Sequence, residues 1–253
     1  MVPRPLGHTG LVVSPIGLGT TKLGRNTDVK YPEAFELPSE KQIAQLLDTA
    51  LGLGVNLIDT APAYGESEQR LGPFVHANRD RIVLCTKCGE TYRDGRSTYD
   101  FSKSAVIGSA ERSLRRLRTD YIDLLLLHSD GRDVEILTQT GAIEALNDLK
   151  QTGKARAIGI SAKTEPGISE ACRSLDIVMA PFSQKDSSLR AALATAHEAG
   201  LGVLAIKGLS SGHLEASPAI DFVLRQPFID SLILGTINPA HLCEAVGIVD
   251  QCP

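Results

Sequence analysis

No stretch of these 253 residues is apolar for the roughly 18 consecutive positions that a membrane helix needs. The N-terminus, MVPRPLGHTGLVVSP, has no apolar core leading to a small-residue cleavage site. A membrane span and a secretory leader are therefore not expected, and the cytoplasm is the expected location. Positive charge is not in excess: 26 Lys and Arg stand against 30 Asp and Glu, a net charge of −4. This argues against a nucleic-acid-binding face and against a polybasic membrane patch, and leaves room for a local basic pocket around a phosphate. No low-complexity segment and no obvious linker breaks the chain, so a single domain over residues 1–253 is expected.

Cysteine is also scarce. Five residues, at 85, 88, 172, 243 and 252, are too few and too irregular for a disulfide framework. Cys85 and Cys88 do form a C-x-x-C, but inside the apolar run IVLCTKCG rather than at a helix start. Residues three apart on a strand face opposite ways, so the two sulfurs should not meet. No second pair completes a zinc site.

What is present is an alternation of short apolar runs with helical ones. Strands are predicted near 13–19, 57–61, 82–88, 121–128, 156–161, 176–182, 202–207 and 231–236. Val, Ile and Leu fill them with little polar alternation, as in strands buried on both faces. Between them, SEKQIAQLLDTALGLG carries Ile43, Leu46, Leu47, Ala50 and Leu51 on one stripe. SKSAVIGSAERSLRRLR does the same with Val106, Ile107, Ala110, Leu114 and Leu117, and Ser102 stands as its N-cap. AIEALNDLKQTG, SLRAALATAHEAG and NPAHLCEAVGIV continue the pattern, and Gly54, Gly153 and Gly200 follow three of the helix ends. Eight such units in this length predict a single (β/α)8 barrel. The rival, an open doubly wound sheet, favours G-x-G-x-x-G after the first strand, and GLGTTKLG lacks that spacing. Ahead of the barrel, RPLGHTGLVVSPI reads as a β-hairpin turning at Thr9-Gly10.

In such a barrel, polar side chains that end apolar strands gather at one face. The second strand supplies Asp59 and, just beyond, Tyr64; the third supplies Lys87; the fourth supplies His128. Each has a plain structural role open to it: a turn cap, loop packing, a rim cation, a core histidine. Together they make coherent chemistry. An ammonium beside a phenol stabilises phenolate and lowers the tyrosine pKa from its usual value near about 10. Asp59 would hold Lys87 charged, and His128 would hydrogen-bond a carbonyl oxygen. No side chain here can supply a hydride, so a nicotinamide cofactor is needed.

The segments LGHTGLVVSPIGLGT, GVNLIDTAPAYGESEQRLG, TKCG, LRRLRTDYIDLLLLH, GKARAIGIS and ILGTINPAHL, in this order, resemble the aldo-keto reductase superfamily over nearly the whole chain. The resemblance implies a (β/α)8 barrel that binds a nicotinamide dinucleotide, usually NADPH, without a Rossmann domain. It implies Asp59, Tyr64, Lys87 and His128 as a catalytic tetrad. It also implies cofactor contacts from Gly19, Thr20, Thr21 and Asp59, from Ser161, from Ile206, Lys207, Gly208, Leu209 and Gly212, and from Gly235, Thr236 and His241. Several positions depart from the family pattern. Ala162 stands where Asn is common, Met179 where a Gln often binds the carboxamide, and Ile206 where an aromatic stacks on nicotinamide. Gly235 and His241 replace the Lys and Arg that usually hold the 2′-phosphate, and Ala245 replaces an adenine-contacting Asn. NADP(H) with weakened discrimination over NAD(H) is expected, with Lys207, Lys22 or Arg25 as possible replacement cations.

Three readings follow from the resemblance. The first is an NADPH-dependent reductase of aldehydes and ketones. The second is an NAD-dependent sugar or alcohol dehydrogenase of the same family. The third is a cofactor-binding regulatory subunit with little turnover, against which the intact tetrad argues. The long loop TKLGRNTDVKYPEAFELP and a chain that stops at Cys252-Pro253 predict an open pocket for varied small carbonyls.

Overall fold

The computed structural model describes residues 1–29 and 31–251. Cys252 and Pro253, on which the expectation of an abrupt C-terminus rests, lie outside the described residues. An antiparallel hairpin, β1 (Arg4–Pro5) and β2 (Val12–Val13), comes first. Then follow β3 (Ile16–Gly19), α1 (Thr21–Gly24), α2 (Glu40–Gly52), β4 (Leu57–Asp59), α3 (Ser67–Asn78) and β5 (Val83–Cys88). A second hairpin, β6 (Glu90–Arg93) and β7 (Arg96–Tyr99), precedes α4 (Lys103–Leu117) and β8 (Ile122–His128). The rest runs α5 (Asp133–Gln139), α6 (Ala142–Gln151), β9 (Ala155–Ser161), α7 (Glu165–Ala171), β10 (Ile177–Pro181) and α8 (Arg190–Glu198). It ends with β11 (Gly202–Ile206), α9 (Ala216–Leu224), β12 (Ser231–Gly235) and α10 (Pro239–Gln251).

Strands β3, β4, β5, β8, β9, β10, β11 and β12 pair in parallel and close into a barrel, as the alternation predicts. Strand parity sorts the core into two layers. Leu57, Val83, Cys85, Leu124, Leu126, Ala157, Met179, Leu204 and Ile233 fill the barrel interior. The alternate residues, with Ile58, Leu84, Cys88, Leu125 and Leu127 among them, pack outward against the helices. Cys85 and Cys88 fall in different layers, on opposite faces of β5. Leu6, Leu11 and Val13 of the first hairpin join the interior layer and plug the end of the barrel where its strands begin. Close packing there demands glycine: a Cβ on Gly7 would stand 2.3 Å from the Gly202 nitrogen.

The helices end and begin where local chemistry dictates. Ser39 and Gln42 form a reciprocal capping box at α2, and the Ser102 side chain caps α4. Gly54, Gly153 and Gly200 all take positive φ after helix ends, a region that costs glycine little. The predicted first strand is corrected: the run 13–19 is broken at Ser14-Pro15. Val13 belongs to the hairpin and only Ile16–Gly19 to the barrel. The chain turns at Ser14, whose N–H donates to Asn56 Oδ1 (2.7 Å), whose hydroxyl donates to the Ile16 carbonyl (2.6 Å) and whose Oγ accepts from the Asn56 N–H (3.1 Å). The hairpin β6–β7, which the alternation of strands and helices does not announce, is inserted between β5 and α4.

Candidate active site

Asp59, Lys87, His128 and Ser161 share the inward parity of Leu57, Cys85, Leu126 and Ala157, and each lies at the C-terminal end of its strand. The ladder places His128 opposite Ser161, and Met179 opposite Ser161 on the other side. Barrel closure thus brings together residues up to about a hundred positions apart in sequence, at the face where such barrels assemble sites.

Lys87 is buried, and its ammonium donates to Asp59 Oδ1 at 2.6 Å and to the Thr60 carbonyl at 2.9 Å. Burial by itself disfavours the ammonium, but Asp59, with further help from Tyr64 and Cys85, outweighs it and raises the Lys87 pKa. Tyr64 stands above this pair, with the Lys87 nitrogen 4.8 Å from its ring centroid. Its loop is held by backbone bonds, Tyr64 N–H to the Ala61 carbonyl (3.0 Å) and Glu66 N–H to the Gly24 carbonyl (3.3 Å). Gly24 is required by that approach, because a Cβ there would lie 2.1 Å from the Ser67 nitrogen. The His128 ring meets Tyr64 edge-on, centroids 6.0 Å apart and planes at 88°. The four residues named from the strand ends are brought together.

The expected lowering of the tyrosine pKa is corrected. Loss of water around the phenol dominates and pushes Tyr64 up to about 12. The Lys87 charge and hydrogen bonds from Lys87 and Thr21 pull downward, without prevailing. The phenol is therefore held in its protonated form at neutral pH. Burial lowers the His128 pKa, Lys87 lowers it further, and Glu90 and Asp59 oppose both.

A cavity of about 690 Å3 opens beside Tyr64 and Asp59 and extends to the start of α10. Gly19, Thr21, Ile206, Lys207, Gly208, Leu209, Gly212, Gly235, Thr236 and His241, expected from the resemblance as cofactor contacts, all line this cavity. Two predicted contacts do not reach its wall. The Thr20 hydroxyl donates to the Asp59 carbonyl (2.9 Å) and accepts from Ser67 Oγ (2.9 Å), so it braces β3 against β4. Ser161 is buried between His128 and Met179. Of the three possible replacement cations, Arg25 is committed elsewhere. It stacks on Tyr92 at 3.5 Å, donates to Ala63 O and pairs with Asp28. Lys22 lies 3.9 Å over the Tyr31 ring. Lys207 lines the cavity from a backbone with φ of 58°. Among the described residues, no cluster of His, Cys, Asp and Glu is arranged to hold a metal. A smaller cavity, about 400 Å3, lies at the opposite barrel end around Arg4, His8, His197 and Asp230, away from the tetrad.

One site residue escapes the sequence reading. Glu90, the first residue of β6, is buried, and its Oε2 lies 2.7 Å from His128 Nδ1. Its other oxygen accepts from Ser97 (2.5 Å) and Tyr99 (3.2 Å) on β7. The available signal was Asp94-Gly95 between TYR and RST, a two-residue turn with positive φ at both positions.

Comparison with known proteins agrees with this geometry. The aldo/keto reductase family profile matches residues 15–217, and the chain belongs to this family of oxidoreductases. L-galactose dehydrogenase of Arabidopsis thaliana is 33% identical over 231 residues, covering 83% of this chain and 66% of the plant protein. NADH-specific methylglyoxal reductase of Escherichia coli is 30% identical, covering 87% of this chain and 71% of the bacterial one. Among solved structures, PA4992 of Pseudomonas aeruginosa superimposes with a TM-score of 0.91 at 41% identity, covering 98% of this chain and 94% of that one. The chain thus spans about two thirds of the length of these curated relatives.

Proposed function

We propose that this chain is a nicotinamide-dependent carbonyl reductase, interconverting aldehydes or ketones with alcohols, in which Tyr64 is the general acid and base. The observation that carries this reading is a protonated phenol stacked over a buried Lys87–Asp59 pair and beside an imidazole, at the inner end of a long cavity. The cavity suits a dinucleotide: it is large, and it runs from the tetrad to the start of α10, where backbone N–H groups and the helix dipole favour an anion. Gly19, Thr21, Ile206, Gly208 and Leu209 would flank the bound group, and Gly235, Thr236 and His241 would receive its far end. That cofactor supplies the hydride. Tyr64 gives its proton to the carbonyl oxygen in reduction, and Lys87 stabilises the phenolate left behind. His128, when protonated, donates to the same oxygen. Asp59 keeps Lys87 charged and in place.

NADPH is the proposed partner, with weak discrimination over NADH. Gly235 carries no charge, His241 is exposed, and Glu244 adds a carboxylate to the same wall. The sugar dehydrogenase among the relatives keeps oxidation of alcohols as the second reading. The direct experiment mixes the protein with each cofactor, follows cofactor fluorescence, and then screens a panel of carbonyls and sugars for turnover. Binding followed by cofactor oxidation with small aldehydes is expected. Tight binding with no turnover across the panel would favour a regulatory subunit.

A further inference from the structure

The β6–β7 hairpin brings a carboxylate back under the active-site imidazole. It starts three residues after Lys87, and its base is clamped where Asp100 N–H donates to the Gly89 carbonyl at 2.9 Å. Gly89 makes that return with φ of 93°, its Cα face pressed against Phe101. Ser97 and Tyr99 on β7 both donate to Glu90 Oε1, which leaves Oε2 for His128. Glu90 is held ionised: although burial opposes charge, the close His128 imidazole and bonds from Ser97 and Tyr99 bring its pKa down to about 2. The Nδ1 atom is otherwise without a partner, and its N–H is not yet aligned on the carboxylate. At 2.7 Å, a small rotation about the soft terminal torsion of histidine completes the bond.

We propose that Glu90 is a positioning residue for His128, fixing the Nδ1–H form of the ring so that Nε2 meets the substrate as a hydrogen-bond acceptor while His128 is neutral and as a donor once it is protonated. A carboxylate can only accept, so the nitrogen it contacts must carry the proton. Nε2 then keeps its lone pair in the neutral ring. A lone pair accepts from an alcohol hydroxyl and repels a carbonyl oxygen; the imidazolium, with protons on both nitrogens, donates to the carbonyl. His128 would thus favour alcohol above its pKa and carbonyl below it. The groups that face it are Tyr64 from the loop after β4, Asp59 on β4, Lys87 on β5 and Glu90 on β6. The last two oppose one another, so Glu90 is the one whose removal should move the equilibrium most without touching the tetrad.

The tautomer follows from the Glu90 contact alone, whereas its effect on substrate rests on the carbonyl reductase reading, and the two are tested separately. Long-range proton–nitrogen NMR spectra of the cofactor-free protein give the tautomer and pKa of each imidazole, with His128→Gln to assign the signal. Wild type should show Nδ1–H at neutral pH. Glu90→Gln should keep that tautomer, because the amide oxygen still accepts, but titrate lower by about one unit or more. Glu90→Ala should switch to Nε2–H. An Nε2–H signal in wild type, or spectra unmoved by both substitutions, overturns the assignment even if the enzyme is active. In turnover, kcat/KM for carbonyl reduction should fall as pH rises through the His128 pKa in wild type, while kcat/KM for alcohol oxidation should level off there. That inflection should move down in Glu90→Gln and vanish in Glu90→Ala. An inflection that stays put in both variants overturns the substrate half of the proposal; a wild-type protein inactive on every substrate instead counts against the function and leaves the NMR result standing.

Discussion

At the scale of single residues, the site is governed by the balance between burial and neighbouring charge. Lys87 has lost its water, and Asp59 above all makes the ammonium tolerable there. Lys87→Met removes the one charge that offsets burial at Tyr64, leaving desolvation and Asp59, both of which raise its pKa. Carbonyl reduction should fall by at least about a hundredfold, and the limb of the pH–rate profile assigned to the phenol should move up or disappear. Asp59 is left buried without its partner, so the fold should survive with a lowered melting temperature. An unchanged pH profile in the variant would break the link between the two residues. Glu90 supplies a stability test of the opposite sign. Its pKa is depressed in the folded protein, so its contribution is fully present above the ordinary carboxylate value of about 4.5 and is lost as pH falls through about 2. Glu90→Ala should therefore flatten the dependence of urea stability on pH between about 4.5 and 2. The same acid slope in both proteins would show that the carboxylate is not held as described.

Elements differ in how plainly the sequence announces them. The eight barrel strands were legible because both their faces are buried, so each reads as an unbroken apolar run. α2 and α4 were legible from a single apolar stripe, and α4 also from its Ser102 cap. The short α5 and α7 offer about two turns each, and α3 contains Pro73, so none presents a long regular stripe. The β6–β7 hairpin is exposed over most of its length and carries polar residues on both faces, so no alternation marked it. With it Glu90 was lost, although Asp59, Tyr64, Lys87 and His128 were all readable as polar ends of apolar strands. α10 and the β12 loop make the cofactor prediction. His241 is exposed at the first turn of α10 and lines the cavity. If it supplies the charge near a 2′-phosphate, the NADPH/NADH ratio of kcat/KM should be greater at about pH 6 than at pH 8. His241→Ala should abolish that difference. A large ratio insensitive to both pH and the substitution would point to Lys207 or Lys22 instead.

On the scale of the whole molecule, the barrel separates a dry interior from a polar mouth. The interior is plugged at one end by the first hairpin and closed at the other by the Lys87–Asp59 pair. Leu6 carries much of the plug: it is fully buried and packs on Gly202. Leu6→Ala should lower unfolding free energy by about 2–5 kcal/mol, read as a shift in urea midpoint, while activity at the far mouth is kept. A loss of activity at unchanged stability would contradict that division of labour. Among the described residues, no helix is long and apolar enough to cross a membrane. The proposed chemistry turns on one hydroxyl, that of Tyr64. The most direct measurement compares wild type and Tyr64→Phe in two steps, cofactor binding by fluorescence and then single-turnover oxidation of bound NADPH by a small aldehyde. The phenylalanine ring keeps the cavity wall and loses only the proton. Cofactor affinity should stay within a few-fold, and the rate of cofactor oxidation should drop by about 10²–10⁴. A variant that retains more than about a tenth of the wild-type rate would show that the proton comes from elsewhere.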